Sequence, residues 1–188
     1  MELEFELSAL QFELMGYVGL KQGEPLTVTL ESDVLLPDPA AGSWFAVQKE
    51  PWPVRFERVA PATYAFAGQI QAAEIENADG SETAVLLVMC GDIPLRVICA
   101  PEENGRLPFG TWETRFLTGV SRIHGLVEDD FQTSIGQSVD VTIWHFQRLV
   151  LTPGDAVFGQ WHESDQLTPT PYHYDRVVVQ SRLHRTRQ

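Results

Sequence analysis

Residues 83–101 read TAVLLVMCGDIPLRVICAP, the most apolar run in the chain, with a turn in its middle. Gly91-Asp92 divides it into 84–90 and 93–100, and a two-residue loop with glycine first suits a type II′ hairpin. That loop sets a register: Cys90 opposite Ile93, Val88 opposite Leu95, Leu86 opposite Val97 and Ala84 opposite Cys99. Side chains alternate across a sheet, so one face carries Leu86, Val88, Cys90, Ile93, Leu95, Val97 and Cys99. The other carries Val85, Leu87, Met89, Pro94, Arg96 and Ile98, and only Arg96 among them is polar. A hairpin washed by solvent on one side would show a polar second face. This one is expected to be covered on both, in the middle of a barrel or sandwich. Pro94 lacks an N–H and belongs beside the turn or on an open edge.

The same register bears on redox chemistry. Cys99 pairs with Ala84, six residues along the strand from Cys90, so the two thiols lie ~20 Å apart at the usual rise of a strand. A disulfide needs Cα atoms within about 7 Å. Both cysteines are therefore expected to be free and buried, as small hydrophobes rather than reactive or metal-binding thiols.

Outward from the hairpin, strand and turn signals dominate. The segment 62–75 (ATYAFAGQIQAAEI) is expected to be a long strand, with Gly68 marking a bulge or bend, and 77–81 (NADGS) a turn. Residues 25–30 (PLTVTL), 44–47, 54–59, 112–118, 120–127 and 139–150 read as further strands, and 35–44 (LLPDPAAGSW) and 102–110 as loops. The first eighteen residues divide into one strand through Leu7 and a second through about Leu14. No capped amphipathic helix stands out; 112–123 comes nearest, weakened by its threonines and flanking glycines. The expected fold is all-β, a barrel or sandwich of many short antiparallel strands. A faint echo relates Gly23-Glu-Pro-Leu-Thr-Val-Thr-Leu to Gly136-Gln-Ser-Val-Asp-Val-Thr-Ile. It admits two related halves, about 1–60 and 61–175, although Gly before a Val/Thr-rich run is also how many strands begin.

The order over 62–127, a long bent strand, a hairpin, a loop and two strands, resembles the oligonucleotide/oligosaccharide-binding (OB) barrel. That resemblance implies binding through an aromatic and basic face. The basic residues there are Arg96, Arg106, Arg115 and Arg122.

The chain of 188 residues carries a net charge of −13 and suits one domain over 1–175. All 26 acidic residues and nine of the 13 basic ones lie in 1–175, while Arg176, Arg182, Arg185 and Arg187 crowd the end. Such a body repels phosphates, so neither nucleic acid nor an anionic membrane is an expected partner. The segment 176–188 reads as a basic arm, either folded onto the acidic body or clasping a neighbouring subunit. Within it Val177–Val179 is extended and suited to adding to a sheet edge. No apolar run reaches a membrane span, and the acidic start MELEFEL does not look like a signal peptide. With two unpaired cysteines, this points to a cytoplasmic protein.

Two constellations carry chemistry. His162, Glu163, Asp165, His173 and Asp175 fall within fifteen residues and combine imidazoles with carboxylates, a donor set for a divalent metal. Against that, no HExxH is present, and Pro169 and Pro171 suit a solvent-exposed loop. Second, Trp112, His124, Trp144 and His145 are candidates to line a ligand site at a barrel mouth, since such sites gather aromatics around a few polar groups. His124, near Glu128, Asp129 and Asp130, suits a general base, or a strand-end histidine bonded to a loop. Trp52, between two prolines, suits a corner filler more than a ligand platform. No glycine-rich phosphate loop, G-x-S-x-G elbow or CxxC pair occurs, and no cofactor is expected. The leading expectation is a non-enzymatic β-domain acting through protein contacts or self-association. The alternative is a small-molecule binder or enzyme with a site at the barrel mouth, and a nucleic-acid binder comes third.

Overall fold

The structure, a computed structural model, describes residues 1–7, 19–108, 116–127, 135–167 and 174–184. Among these residues the fold is all-β, with no helix. The strands are β1 (Glu2–Leu7), β2 (Pro25–Leu35), β3 (Trp44–Gln48), β4 (Arg55–Ala60), β5 (Thr63–Ala78) and β6 (Ser81–Cys90). They continue with β7 (Ile93–Cys99), β8 (Phe116–Val127), β9 (Ser138–Leu149), β10 (Trp161–Ser164) and β11 (Arg176–Leu183). All belong to one mixed 11-stranded sheet ordered β10-β9-β11-β1-β8-β2-β7-β6-β5-β4, with β3 on β8 and additional β9–β2 and β8–β5 pairings.

The hairpin is β6–β7, and its register is the one the loop dictates: Cys90↔Ile93, Val88↔Leu95, Leu86↔Val97 and Ala84↔Cys99. Gly91 takes φ 68°, the positive value a type II′ turn requires at its first central position. Leu86, Val88, Leu95 and Val97 are fully buried, each worth about 1.5–3 kcal/mol against exposure. Met89, Arg96 and Ile98 on the second face are half-buried. Pro94 sits beside the turn, and β2 joins the free edge of β7 only from Arg96 onward. Both cysteines are free and buried. Burial pushes the Cys90 thiol up to about 12 and that of Cys99 further still.

Two glycines work differently from their expected roles. The bulge in β5 falls between Ile70 and Ala72, not at Gly68. Gly68 stands where β5 passes from β4 to β6, and a Cβ there would meet the Met89 carbonyl oxygen at 2.3 Å. Gly119 does not separate two strands, because β8 runs unbroken through it. Its missing side chain lets β3 and Phe66 close on β8: a Cβ would lie 2.3 Å from the Trp44 carbonyl oxygen and 3.0 Å from the Phe66 ring. The second strand expected near Leu14 and the start of the one expected from Trp112 lie outside the described residues.

The echoing segments turn out to be partners. β2 and β9 run antiparallel with Leu26↔Val141 and Val28↔Val139, all four side chains in the core. The C-terminal segment through Leu183 is not peripheral: β11 lies between β1 and β9, antiparallel to both. Val177, Val178 and Val179 are fully buried. Arg176 folds back onto the acidic body, donating to Glu6 at 3.0 and 3.2 Å. Arg185 and Arg187 lie outside the described residues. Among the described residues no helix is long and apolar enough to cross a membrane.

Candidate functional site

β9 reads SVDVTIWHFQRL, and its inward positions are Val139, Val141, Ile143 and then Phe146. A strict two-residue period would place residue 145 inside. The period slips because of a β-bulge against β11: Gln180 pairs with His145, but the next residue, Ser181, pairs with Ile143. Trp144 is the unmatched residue. A bulge bends its strand and re-aims side chains. Here it puts two consecutive residues on the outer face, Trp144 at 48% exposure and His145 half-buried.

β10 supplies the neighbours of His145. Glu163 pairs with Gln147 and Ser164 with Phe146, so Glu163 and Asp165 flank the imidazole. His145 Nδ1 lies 2.9 Å from Asp165 Oδ1 and Nε2 lies 3.5 Å from Glu163 Oε2. A neutral imidazole donates through one nitrogen only, so both contacts become charge-assisted together only in the imidazolium.

Trp144, His145 and Glu163 border a cleft of about 670 Å³. Its floor includes Glu4 of β1 and Gln180 of β11, and Phe56, Arg58 and Tyr64 form the facing wall. Phe56 and Tyr64 stack at 4.3 Å. The Tyr64 hydroxyl accepts from the Glu4 backbone N–H at 2.7 Å, and burial holds its ionisation up at about 12. The Glu4 carboxylate accepts from Arg58, from Gln180 Nε2 at 3.1 Å and from the Ala62 N–H at 3.2 Å. It is saturated, and braces the wall rather than offering a free acid. Trp144 also borders a second recess of about 460 Å³ with Thr142, Arg182 and His184. The Arg182 guanidinium lies over its indole at 5.1 Å.

Of the four candidate ligand residues, Trp144 and His145 share the cleft. Trp112 lies outside the described residues. His124 sits elsewhere, its Nε2 2.5 Å from Asp33 Oδ1, in a network in which Arg122 Nε reaches Asp33 Oδ2 at 3.2 Å and Ser43 adds a hydroxyl at 3.3 Å. Burial works to raise the Asp33 carboxyl, but the hydrogen bonds and charges of His124 and Arg122 outweigh it and hold it below the usual range. Among the described residues the partner of His124 is Asp33; the acidic run 128–130 lies outside them.

Of the five candidate metal ligands, the four that are described do not form one cluster. His162 pairs with Arg148 and points opposite to Glu163. Glu163 and Asp165 face His145. Asp175 is spent on a clamp: its carboxylate accepts from Arg148 Nε at 2.6 Å, the Leu151 N–H at 2.7 Å, and the Thr152 N–H and hydroxyl, each at 3.0 Å. Burial opposes its ionisation, yet these donors keep the carboxyl below its ordinary value. His173 lies outside the described residues. Among the described residues no group of three or more His, Cys, Asp or Glu is placed to hold a metal.

Glu4, Arg58, Tyr64 and Gln180 were not among the candidates, and no local motif marks them; they meet through pairing between distant segments. The bulge did leave a signal, the jump from Ile143 to Phe146 in an otherwise alternating strand. No family model, curated protein or solved structure matches this chain.

Proposed function

We propose that this chain is a cytoplasmic, non-enzymatic β-domain that holds a small ligand in the cleft at the Trp144–His145 bulge. The observation that carries this reading is the slip in β9 that turns both side chains to one face, at the rim of a cleft of about 670 Å³. A volume in this range, walled by aromatics with a few polar groups, suits a small molecule. Binding is favoured over catalysis because the buried carboxylate on its lining is saturated: Glu4 by Arg58, Gln180 and a backbone amide.

The pairings support a barrel-like scaffold for the site. The path β5–β6–β7–β2–β8–β5 returns to its start, and so does β1–β11–β9–β2–β8–β1. We read these as two five-stranded rings sharing β2 and β8. The first includes the OB-like run of β5 to β8, completed by β2 parallel to β7. The cleft lies on the outside of the second.

The test is a thermal-shift and tryptophan-fluorescence screen of the full chain against amines, sugars and carboxylates, repeated with Trp144→Phe. A ligand that raises the melting temperature of the wild type and not of the variant supports the site. A screen with no stabilising compound removes it.

Self-association is the second reading, favoured by Val54 and Val59, 62% and 53% exposed on or beside β4, the end strand of the sheet among the described residues. Arg55, Glu57 and Arg58 along that strand work against edge-to-edge pairing. A solution mass of one chain at high concentration would remove this reading.

A further inference from the structure

Resting on the ligand site just proposed, we infer that the ligand is a small organic amine, bound through its ammonium group. The guanidinium groups on and around the cleft are already committed, which leaves the α-amino group of Met1 as the other cation on its lining. Arg58 is paired with Glu4, Arg176 with Glu6, and Arg182 lies over Trp144. The carboxylates are not used up in the same way. Glu163 and Asp165 meet His145 yet keep 71% of their side-chain surface exposed, and Glu2 is an exposed carboxylate on the cleft lining. With the Glu2 and Glu163 carboxylates against the single α-ammonium of Met1, the charge left on the lining is negative, on a chain of net charge −13. An anionic ligand would meet these carboxylates with no uncommitted guanidinium to answer them.

The aromatic lining points the same way. An indole face attracts cations, and both exposed tryptophans of this region demonstrate it: Arg182 lies 5.1 Å from the Trp144 ring and Arg176 lies 6.0 Å from that of Trp161. Arg182 lines only the smaller recess, whereas Trp144 borders both cavities. An ammonium entering the larger one meets the indole together with Glu163 and the exposed Glu2. Three donors on an ammonium match acceptor-only carboxylates.

The test is calorimetric titration of the full chain with three four-carbon probes: 1,4-diaminobutane, 1,4-butanediol and succinate. The diamine is expected to bind, the diol and succinate at least tenfold more weakly. Glu163→Gln with Asp165→Asn is expected to weaken the diamine at least tenfold while leaving the melting temperature in place, because both side chains are largely exposed. Equal or tighter binding of the diol or succinate, lost in Trp144→Phe, overturns the amine assignment but keeps the ligand site. An unchanged diamine affinity in the double variant also overturns the assignment. Tighter binding of Nα-acetyl-lysine amide than of the diamine replaces the free amine with a protein lysine. If no probe binds, the site and its ligand class fall together.

Discussion

Trp144 and His145 are consecutive in sequence and lie on the same face of β9. The residues opposite them explain why: Gln180 pairs with His145 and Ser181 with Ile143, leaving Trp144 without a partner. One extra residue thus exposes an indole and sets an imidazole between Asp165 and Glu163.

The close approach of β3 to β8 makes Gly119 a sensitive position. Gly119→Ala is expected to cost about 3 kcal/mol, the upper end of the usual overpacking range, because its Cβ would stand 2.3 Å from the Trp44 backbone oxygen. Gly42→Ala, with nothing within 4 Å, is the control, expected to change stability by less than about 0.5 kcal/mol. Urea unfolding of both variants decides the matter, and equal midpoints would contradict the packing described for β3.

Both thiols are expected to be inert in the folded protein. Burial raises Cys90 to about 12 and Cys99 higher, so little thiolate exists at neutral pH. A disulfide-exchange reagent such as DTNB should label neither cysteine natively and both in denaturant. Fast native labelling would mean that the β6–β7 hairpin is not covered.

Acid should weaken the fold through Asp33 and Asp175. Each carboxyl lies below its ordinary value of 3.8 in the folded chain. Folding therefore favours the ionised forms. Their contribution is whole above the unfolded value and is lost as pH falls through the folded one. Asp175→Asn is expected to cost about 2–3 kcal/mol at neutral pH by removing the charged acceptor that takes hydrogen bonds from Arg148, Leu151 and Thr152, and to flatten the acid limb of the stability profile. A variant whose stability falls below pH 4 as steeply as the wild type would contradict this.

The hairpin was legible because its loop is two residues long, so one glycine sets every pair from Cys90↔Ile93 to Ala84↔Cys99. Most of the other strands were legible from alternation and turn residues. The site was only half so. Trp144 and His145 stood out as residue types, but Glu4, Arg58 and Gln180 reach the cleft from β1, β4 and β11, and no local pattern announces pairings of that span. Asp175 misled for the opposite reason. Close in sequence to His162 and Glu163, it is drawn by the start of β11 to Arg148 and Thr152.

The place of β11 leads to a prediction about the chain's end. Ending the protein at Asp175 removes the strand between β1 and β9 and uncovers the seat of Val177, Val178 and Val179. Loss of three fully buried side chains, each about 1.5–3 kcal/mol, together with the ladders on both sides of β11, is comparable to the usual net stability of a domain. Circular dichroism should show an unfolded or aggregated chain. A truncated protein with native strand content would show that 176–188 is a dispensable arm after all.

The central claim is that the bulge in β9 forms a ligand site, and the indole N–H resonance of Trp144 reports on it directly. In ¹⁵N-labelled protein, assigned through Trp144→Phe, titration with 1,4-diaminobutane should shift that resonance saturably and leave that of Trp52 in place. No saturable shift of the Trp144 resonance with the diamine, 1,4-butanediol or succinate, or an equal shift at Trp52, would contradict the account.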